Sequence, residues 1–152
     1  MRKVWTFLSN RDLSSQETEQ LQTAGRLFVN NWTAHDNPLK ADFEIYRQRI
    51  LIFSVDEQLH NASGCSIDKL LRFVKETEQK LQVELLNRLL VAFENKGELS
   101  VVAATEISAL LKNGSINAES LIYNTAVSNE TELATWLQPL RETWLKKYLV
   151  TL

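Results

Sequence analysis

A segment of small residues around the single cysteine has the composition best suited to chemistry. Residues 63–69, Ser-Gly-Cys-Ser-Ile-Asp-Lys, begin a predicted helix. Free amides at such an end bind phosphate or carboxylate and lower the pKa of a thiol. Asp68 opposes a bound anion, whereas Lys69 favours one. The predicted ligand-binding residues are Gly64, Cys65, Ser66 and Lys69. In the alternative interpretation a serine of this segment only caps the helix, and Cys65 is a small packing residue.

One histidine and one further carboxyl group are the candidate acid–base partners of this segment. His35 follows the first predicted helix, and it reaches Cys65 only if the fold brings the two loops together. A surface or capping histidine is the alternative. Asp56 is a candidate for proton transfer, or it ends a strand in solvent. The catalytic candidates are therefore His35, Asp56, Cys65 and Asp68.

Motifs for metal, nucleotide or acyl chemistry are missing from the sequence. Glu57 and His60 have a Glu-x-x-His spacing, but they lie in a predicted loop and the spacing does not recur. The chain has no Gly-x-x-x-x-Gly-Lys-Ser/Thr, no Gly-x-Gly-x-x-Gly and no Gly-x-Ser-x-Gly motif. We therefore expect no metal and no cofactor, and ATP hydrolysis by a phosphate loop is disfavoured.

Composition indicates one globular domain of intracellular type. The chain has 152 residues, of which 44% are hydrophobic and 24% charged, and this is enough to bury a core without disulfides. Its net charge of -2 offers no field for nucleic acid or anionic lipid. A single cysteine fits a reducing compartment. We expect a cytoplasmic protein with no nucleic-acid or membrane partner, whose partner is an unknown protein or a small anionic ligand.

The elements that must position these residues follow the order βαββαβ. Ser14 and Glu17 form a capping box in front of the first helix, and alternating hydrophobicity marks a hairpin in the second quarter of the chain. The predicted elements are a strand at 3–8, a helix at about 15–31, hairpin strands at 41–47 and 50–55, a helix ending near residue 81 and a strand at 89–93. This order is typical of a ferredoxin-like sandwich, in which helices cover one face of a four-stranded sheet.

The last third is predicted to be an α/β elaboration of that core within one domain, with the core at 1–95 and the elaboration at 96–152. A helix is expected at 104–112 and a strand at 121–126. A last helix begins after Asn129, and Pro139 kinks or divides it. Its aromatic stripe of Trp136, Trp144 and Tyr148 is either a docking surface or, as is more usual for this spacing, part of the core.

Three short runs and a tryptophan-rich tail carry a likeness to a known family. The runs are Trp-Thr-Ala-His at 32–35, Val-Asp-Glu at 55–57 and the segment 63–69, and the tail contains Trp136, Pro139 and Trp144. They resemble a family of small bacterial proteins common in Bacteroidetes, and the likeness covers nearly the whole chain. The resemblance implies a bacterial cytoplasmic protein and marks 32–35 and 64–69 as hallmarks that meet in one site. Some members carry a transporter-ATPase label, which this sequence does not support because it lacks a phosphate loop.

Two functional hypotheses from different classes remain. The first is a non-enzymatic binding or interaction module, favoured by the absence of a strong catalytic constellation. The second is a small-molecule or anion-binding enzyme, in which amides at 64–66 hold a negative group and His35 or Asp56 transfers a proton. The sequence predicts no particular reaction for the second.

Overall fold

The protein is a mixed α+β structure built from antiparallel sheets and helices. The computed structural model describes residues 1–151, apart from the side chain of Thr151. The strands are β1 Arg2–Leu8, β2 Thr33–Ala34, β3 Asn37–Pro38, β4 Lys40–Tyr46, β5 Ile50–Asp56, β6 Leu90–Asn95, β7 Glu98–Ala103, β8 Leu121–Tyr123 and β9 Leu137–Pro139. The helices are α1 Ser15–Asn30, α2 Gly64–Leu81, α3 Ile107–Lys112 and α4 Glu130–Ala134, with 3-10 turns at Ala104–Glu106, Leu140–Glu142 and Trp144–Thr151. None of these helices is long and apolar enough to cross a membrane.

The first sheet has three strands in the order β1-β5-β4, all antiparallel. The expected four-stranded ferredoxin-like sheet is not confirmed, because β6 is hydrogen-bonded to β7 and β8 instead. The outer edge of β1 is occupied by the segment 125–129. The Val4 amide donates to the Ser128 carbonyl at 3.0 Å, and the Thr6 hydroxyl donates to the Thr125 carbonyl at 2.7 Å. A fourth strand therefore has no free edge of β1 to join.

The second sheet has the order β7-β6-β8-β9 and is also antiparallel. A tight turn joins β6 to β7, with positive φ at Lys96 (53°) and Gly97 (84°), as the two-residue hairpin turn of matching twist requires. The sequence prediction assigned no strand to 98–103. The predicted boundary between core and elaboration, at residue 95, falls between these two paired strands. Strand β6 of the first part and strand β7 of the last part therefore belong to one sheet.

The two sheets pack face to face, and helices cover their outer faces. Strand side chains alternate between the two layers, so that in β5 Ile52 faces the second sheet while Phe53 faces α1 and α2. The cluster between the sheets contains Val4, Leu8, Ile50, Ile52, Ala92 and Tyr123. Beyond the second sheet a third cluster joins Val91, Phe93 and Ile122 to α3 and the C-terminal turns. The central strands β5 and β6 are thus buried on both faces.

The C-terminal segment departs from the expected kinked helix. After α4 the chain extends into β9, where Leu137, Gln138 and Pro139 pair with β8. Pro139 cannot donate a backbone hydrogen bond, and it is tolerated here because β9 is an edge strand. The aromatic stripe is consequently divided: Trp136 packs against Tyr46 and Tyr123 between the sheets, whereas Trp144 is 51% exposed.

We expect Gly25→Ala to destabilise the protein. An ideal Cβ at Gly25 would lie 2.3 Å from Cε2 of Phe43, which is buried in the first sheet. Overpacking of this kind costs about 1–3 kcal/mol and outweighs the helix propensity gained. Gly64→Ala is the matched control, because a Cβ there meets no atom within 4 Å. Urea unfolding should show a clear loss of stability for the first variant only; equal stabilities would contradict the packing described here.

Candidate functional site

The segments at 32–33 and 63–69 meet in the structure. Trp32 is buried, and its indole Nε1 donates to the Ser66 carbonyl at 2.8 Å. Three residues further along α2, the Lys69 ammonium donates to the Thr33 hydroxyl at 3.1 Å. The β2–β3 hairpin therefore lies against the first turns of α2, so the segments 32–35 and 64–69 lie side by side.

Much of the hydrogen-bonding capacity at the start of α2 is used internally. The Ser63 hydroxyl accepts the Ser66 amide at 3.2 Å, and the Ser66 hydroxyl accepts the Ser63 amide at 2.7 Å. This capping box satisfies both amides, and Ser66 is fully buried. Gly64 and Cys65 are exposed, and within residues 1–151 their amides have no acceptor. Of the predicted ligand-binding residues, Ser66 is thus a cap, Lys69 is tied to Thr33, and only the two exposed amides stay open.

The predicted catalytic residues do not converge. His35 and Asp36 form the exposed β2–β3 turn, with φ of 50° and 65°. Asp56 accepts the Gln58 amide at 3.1 Å and pairs with Lys40 at 3.5 Å. That backbone hydrogen bond, followed by the Lys40 charge, lowers the pKa of Asp56. In the part of the chain that the structure describes, no hydrogen bond or ion pair joins His35, Asp56, Cys65 and Asp68. Nothing here couples a nucleophile to a base.

The Glu-x-x-His spacing has a structural explanation. Glu57 Oε2 accepts the Ala62 amide at 2.8 Å and so holds the loop that leads into α2. His60 is exposed. Among the described residues no group of three or more His, Cys, Asp or Glu side chains is placed to hold a metal ion.

A cleft that sequence reasoning missed lies beside the outer edge of β1. It has a volume of about 420 Å³, within the range of small-molecule sites. Apolar side chains of Val4, Leu90, Val91 and Ile122 form part of its lining. Two tryptophans, Trp5 and Trp144, contribute aromatic surface, and two cationic side chains, Lys3 and Arg88, supply charge. No Asp or Glu is among the residues that line it.

Arg88 is the polar centre of this cleft. Its Nη1 donates to the Thr6 carbonyl at 2.8 Å, and its guanidinium lies 5.3 Å above the Phe7 ring. Arg11, Arg26, Arg47, Arg49 and Arg141 each pair with a carboxylate, whereas within residues 1–151 Arg88 pairs with none. Arg88 is exposed as a whole residue, but partial desolvation lowers the pKa of its guanidinium. The opposite holds for Arg11, whose pKa is raised by its hydrogen bond to Glu17.

The cation set extends to the rim of the cleft. Lys147 Nζ lies 5.3 Å from the centre of the Trp144 ring, and Lys3 has no carboxylate partner within the described residues. The arrangement presents several positive charges and aromatic faces to one space, with hydrogen-bonding groups of Thr6 and Asn124 close by. Such a site can bind an anionic group, but no side chain in it is arranged as a nucleophile with a base.

No signal along the sequence would have identified this cleft. Its residues come from β1, from 88–91, from 122–128 and from Trp144, and only the pairing of 125–129 with β1 brings them together. Comparison with known proteins adds no assignment: no family model, curated protein or solved structure matches the chain. The likeness to the Bacteroidetes family stays a prediction.

We expect Trp32→Phe to weaken the contact between the β2–β3 hairpin and α2 and to lower the free energy of unfolding. The substitution removes the indole donor and leaves the buried Ser66 carbonyl without this partner, which costs about 1–3 kcal/mol. Trp144→Phe is the matched control, since that side chain is half exposed and its loss should change stability by no more than about 0.5 kcal/mol. Chemical denaturation measures both. Similar effects of the two substitutions would show that the Trp32 hydrogen bond does not hold these segments together.

Proposed function

We propose that the protein is a non-enzymatic binding module that takes a small organic anion in the cleft beside β1. One observation carries the proposal: Lys3 and Arg88 line a half-open cleft that has no carboxylate in its lining to neutralise them. Burying a cation partly without an anion is unfavourable, and a bound anion removes that penalty. A ligand would give Arg88 the anionic partner that Arg11, Arg26, Arg47, Arg49 and Arg141 obtain from carboxylates of the protein itself.

The chemistry of the lining defines the ligand class. A carboxylate or phosphate group suits Arg88, because a guanidinium binds both by paired charge-assisted hydrogen bonds. The apolar floor and the exposed Trp144 suit a planar, largely apolar body. A volume of about 420 Å³ admits a ligand of the size of an aromatic acid or a mononucleotide and excludes a folded partner.

The hypothesis of an anion-binding enzyme at 64–66 has less support. The open amides of Gly64 and Cys65 favour anion contact, but the capping box already uses Ser66, and no acid or base contacts Cys65 within the described residues. We therefore place recognition at the cleft of β1 and assign no reaction to the chain. A cytoplasmic location is part of the proposal, and it is supported by Cys65, which is exposed as a free thiol.

We expect Arg88→Gln to weaken anion binding. The probes are benzoate, indole-3-acetate, adenosine monophosphate and inorganic phosphate, each titrated into the ¹⁵N-labelled protein and followed by amide chemical shifts. At least one organic probe should shift amides at 3–6 and 122–128. Loss of a charge-assisted hydrogen bond should then raise the dissociation constant by about tenfold or more. Arg72→Gln, which removes an exposed arginine of α2, should leave it unchanged.

Three outcomes contradict the proposal. They are no shift with any probe, the same affinity in the Arg88 and Arg72 variants, and shifts confined to 64–69. The last would favour the alternative at the start of α2. Phosphate alone shifting the cleft amides would keep the anion site but remove the planar body from the ligand class.

A further inference from the structure

The free edge of β7 differs from the other sheet edges. β1 is covered by 125–129, β9 is three residues long and contains Pro139, and β4 carries the charged side chains of Asp42 and Glu44. All three are ordinary ways of preventing strand addition. β7 spans six residues, Glu98–Ala103, with no proline and with one charge at its start. It is the edge that is open to another strand.

The backbone groups available on this edge are defined by the hairpin register. Asn95 pairs with Glu98 across the two-residue turn, and Phe93 pairs with Ser100. Because outward and inward residues alternate along an antiparallel strand, Leu99, Val101 and Ala103 direct their amides and carbonyls away from β6. The Ala103 amide is bonded to Glu106 Oε2 at 2.9 Å, which confirms this direction. Within residues 1–151, the outward groups of Leu99 and Val101 have no partner.

We propose that β7 pairs antiparallel with β7 of a second copy of this chain, about a two-fold axis at Ser100. In this register Leu99 lies opposite Val101 of the other copy, and each pair exchanges amide and carbonyl hydrogen bonds. The register uses the groups that are unpaired and leaves the Ala103–Glu106 bond intact. It joins the two second sheets into one continuous sheet.

The side chains suit this self-pairing. Leu99 and Val101 are half-buried at the margin of the cluster between the sheets, and each would cover the other's apolar surface across the axis. No like charges lie opposite each other, since Glu98 faces Val102. The turn that carries Lys96 would lie beside the end of β7 of the mate, where Glu106 Oε2 accepts the Ala103 amide. This gives charge complementarity at both ends of the pairing and commits the edge to a second copy.

Substitution of Ser100 tests the proposed β7–β7 pairing, because this residue lies on the two-fold axis. It would face its own copy at a Cα separation of about 4.5 Å, so Ser100→Lys or Ser100→Glu places like charges together. Sedimentation velocity from micromolar to millimolar concentration should show a monomer–dimer equilibrium for the wild type. Each variant alone should dimerise at least about tenfold more weakly. An equimolar mixture should restore association, because lysine then faces glutamate.

Control variants distinguish loss of this strand pairing from unfolding and from association through other surfaces. Ser100→Thr should keep the wild-type equilibrium, and circular dichroism should show that all variants are folded. A wild type that stays monomeric throughout overturns the proposal. So does association that is unaffected by the single substitutions, or a mixture that stays as weak as its components. None of these results bears on the cleft beside β1, which lies at the other side of β6.

Discussion

Occupation of the outer edge of β1 by 125–129 is the constraint on which the rest of the structure depends. The segment contributes one bridge, between Lys3 and Asn129, and the bond from Val4 to Ser128. The Thr6 hydroxyl adds a bond to Thr125. These contacts exclude β6 from the first sheet, so β6 becomes the centre of a second sheet that packs across the first. The cleft lies along the same edge, and its polar groups come from β1, from Arg88 and from residues 124–128.

A second set of polar contacts holds the two sheets at their opposite end. Arg47, in the β4–β5 turn, donates to Glu94 of β6 and to the Gly97 carbonyl at 2.8 Å. The Tyr123 hydroxyl, which is buried in β8, also donates to Glu94, and lies 3.1 Å from the Tyr46 hydroxyl. Desolvation, followed by the hydrogen bond to Glu94, raises the pKa of Tyr123. The hydroxyl thus stays protonated and available as a donor, and the sheets are fixed to each other by polar bonds as well as apolar packing.

Sequence reasoning succeeded where short-range interactions decide the structure. The Ser14–Glu17 capping box, the β4–β5 hairpin and the start of α2 all depend on residues within a few positions of one another, and each was predicted. Sheet membership depends instead on competition between distant segments for the edge of β1. The prediction placed β6 in the first sheet because nothing near β6 shows that 125–129 takes that edge. The turn at Lys96-Gly97 could have indicated β7, since residues of positive φ often connect paired strands.

The cleft beside β1 was missed by sequence reasoning for a related reason. The segment 63–69 was predicted as a site because its small polar residues are adjacent in sequence. A helix cap also requires small polar residues close together, and Ser63 and Ser66 form such a cap. A pocket is assembled from residues that are far apart in sequence, here between Lys3 and Trp144. The net charge of -2 conceals the local imbalance at Lys3, Arg88 and Lys147, because the acidic side chains lie elsewhere. Total charge therefore does not reveal a local site, and the proposal of an anion rests on the position of these cations beside a cleft whose lining contains no Asp or Glu.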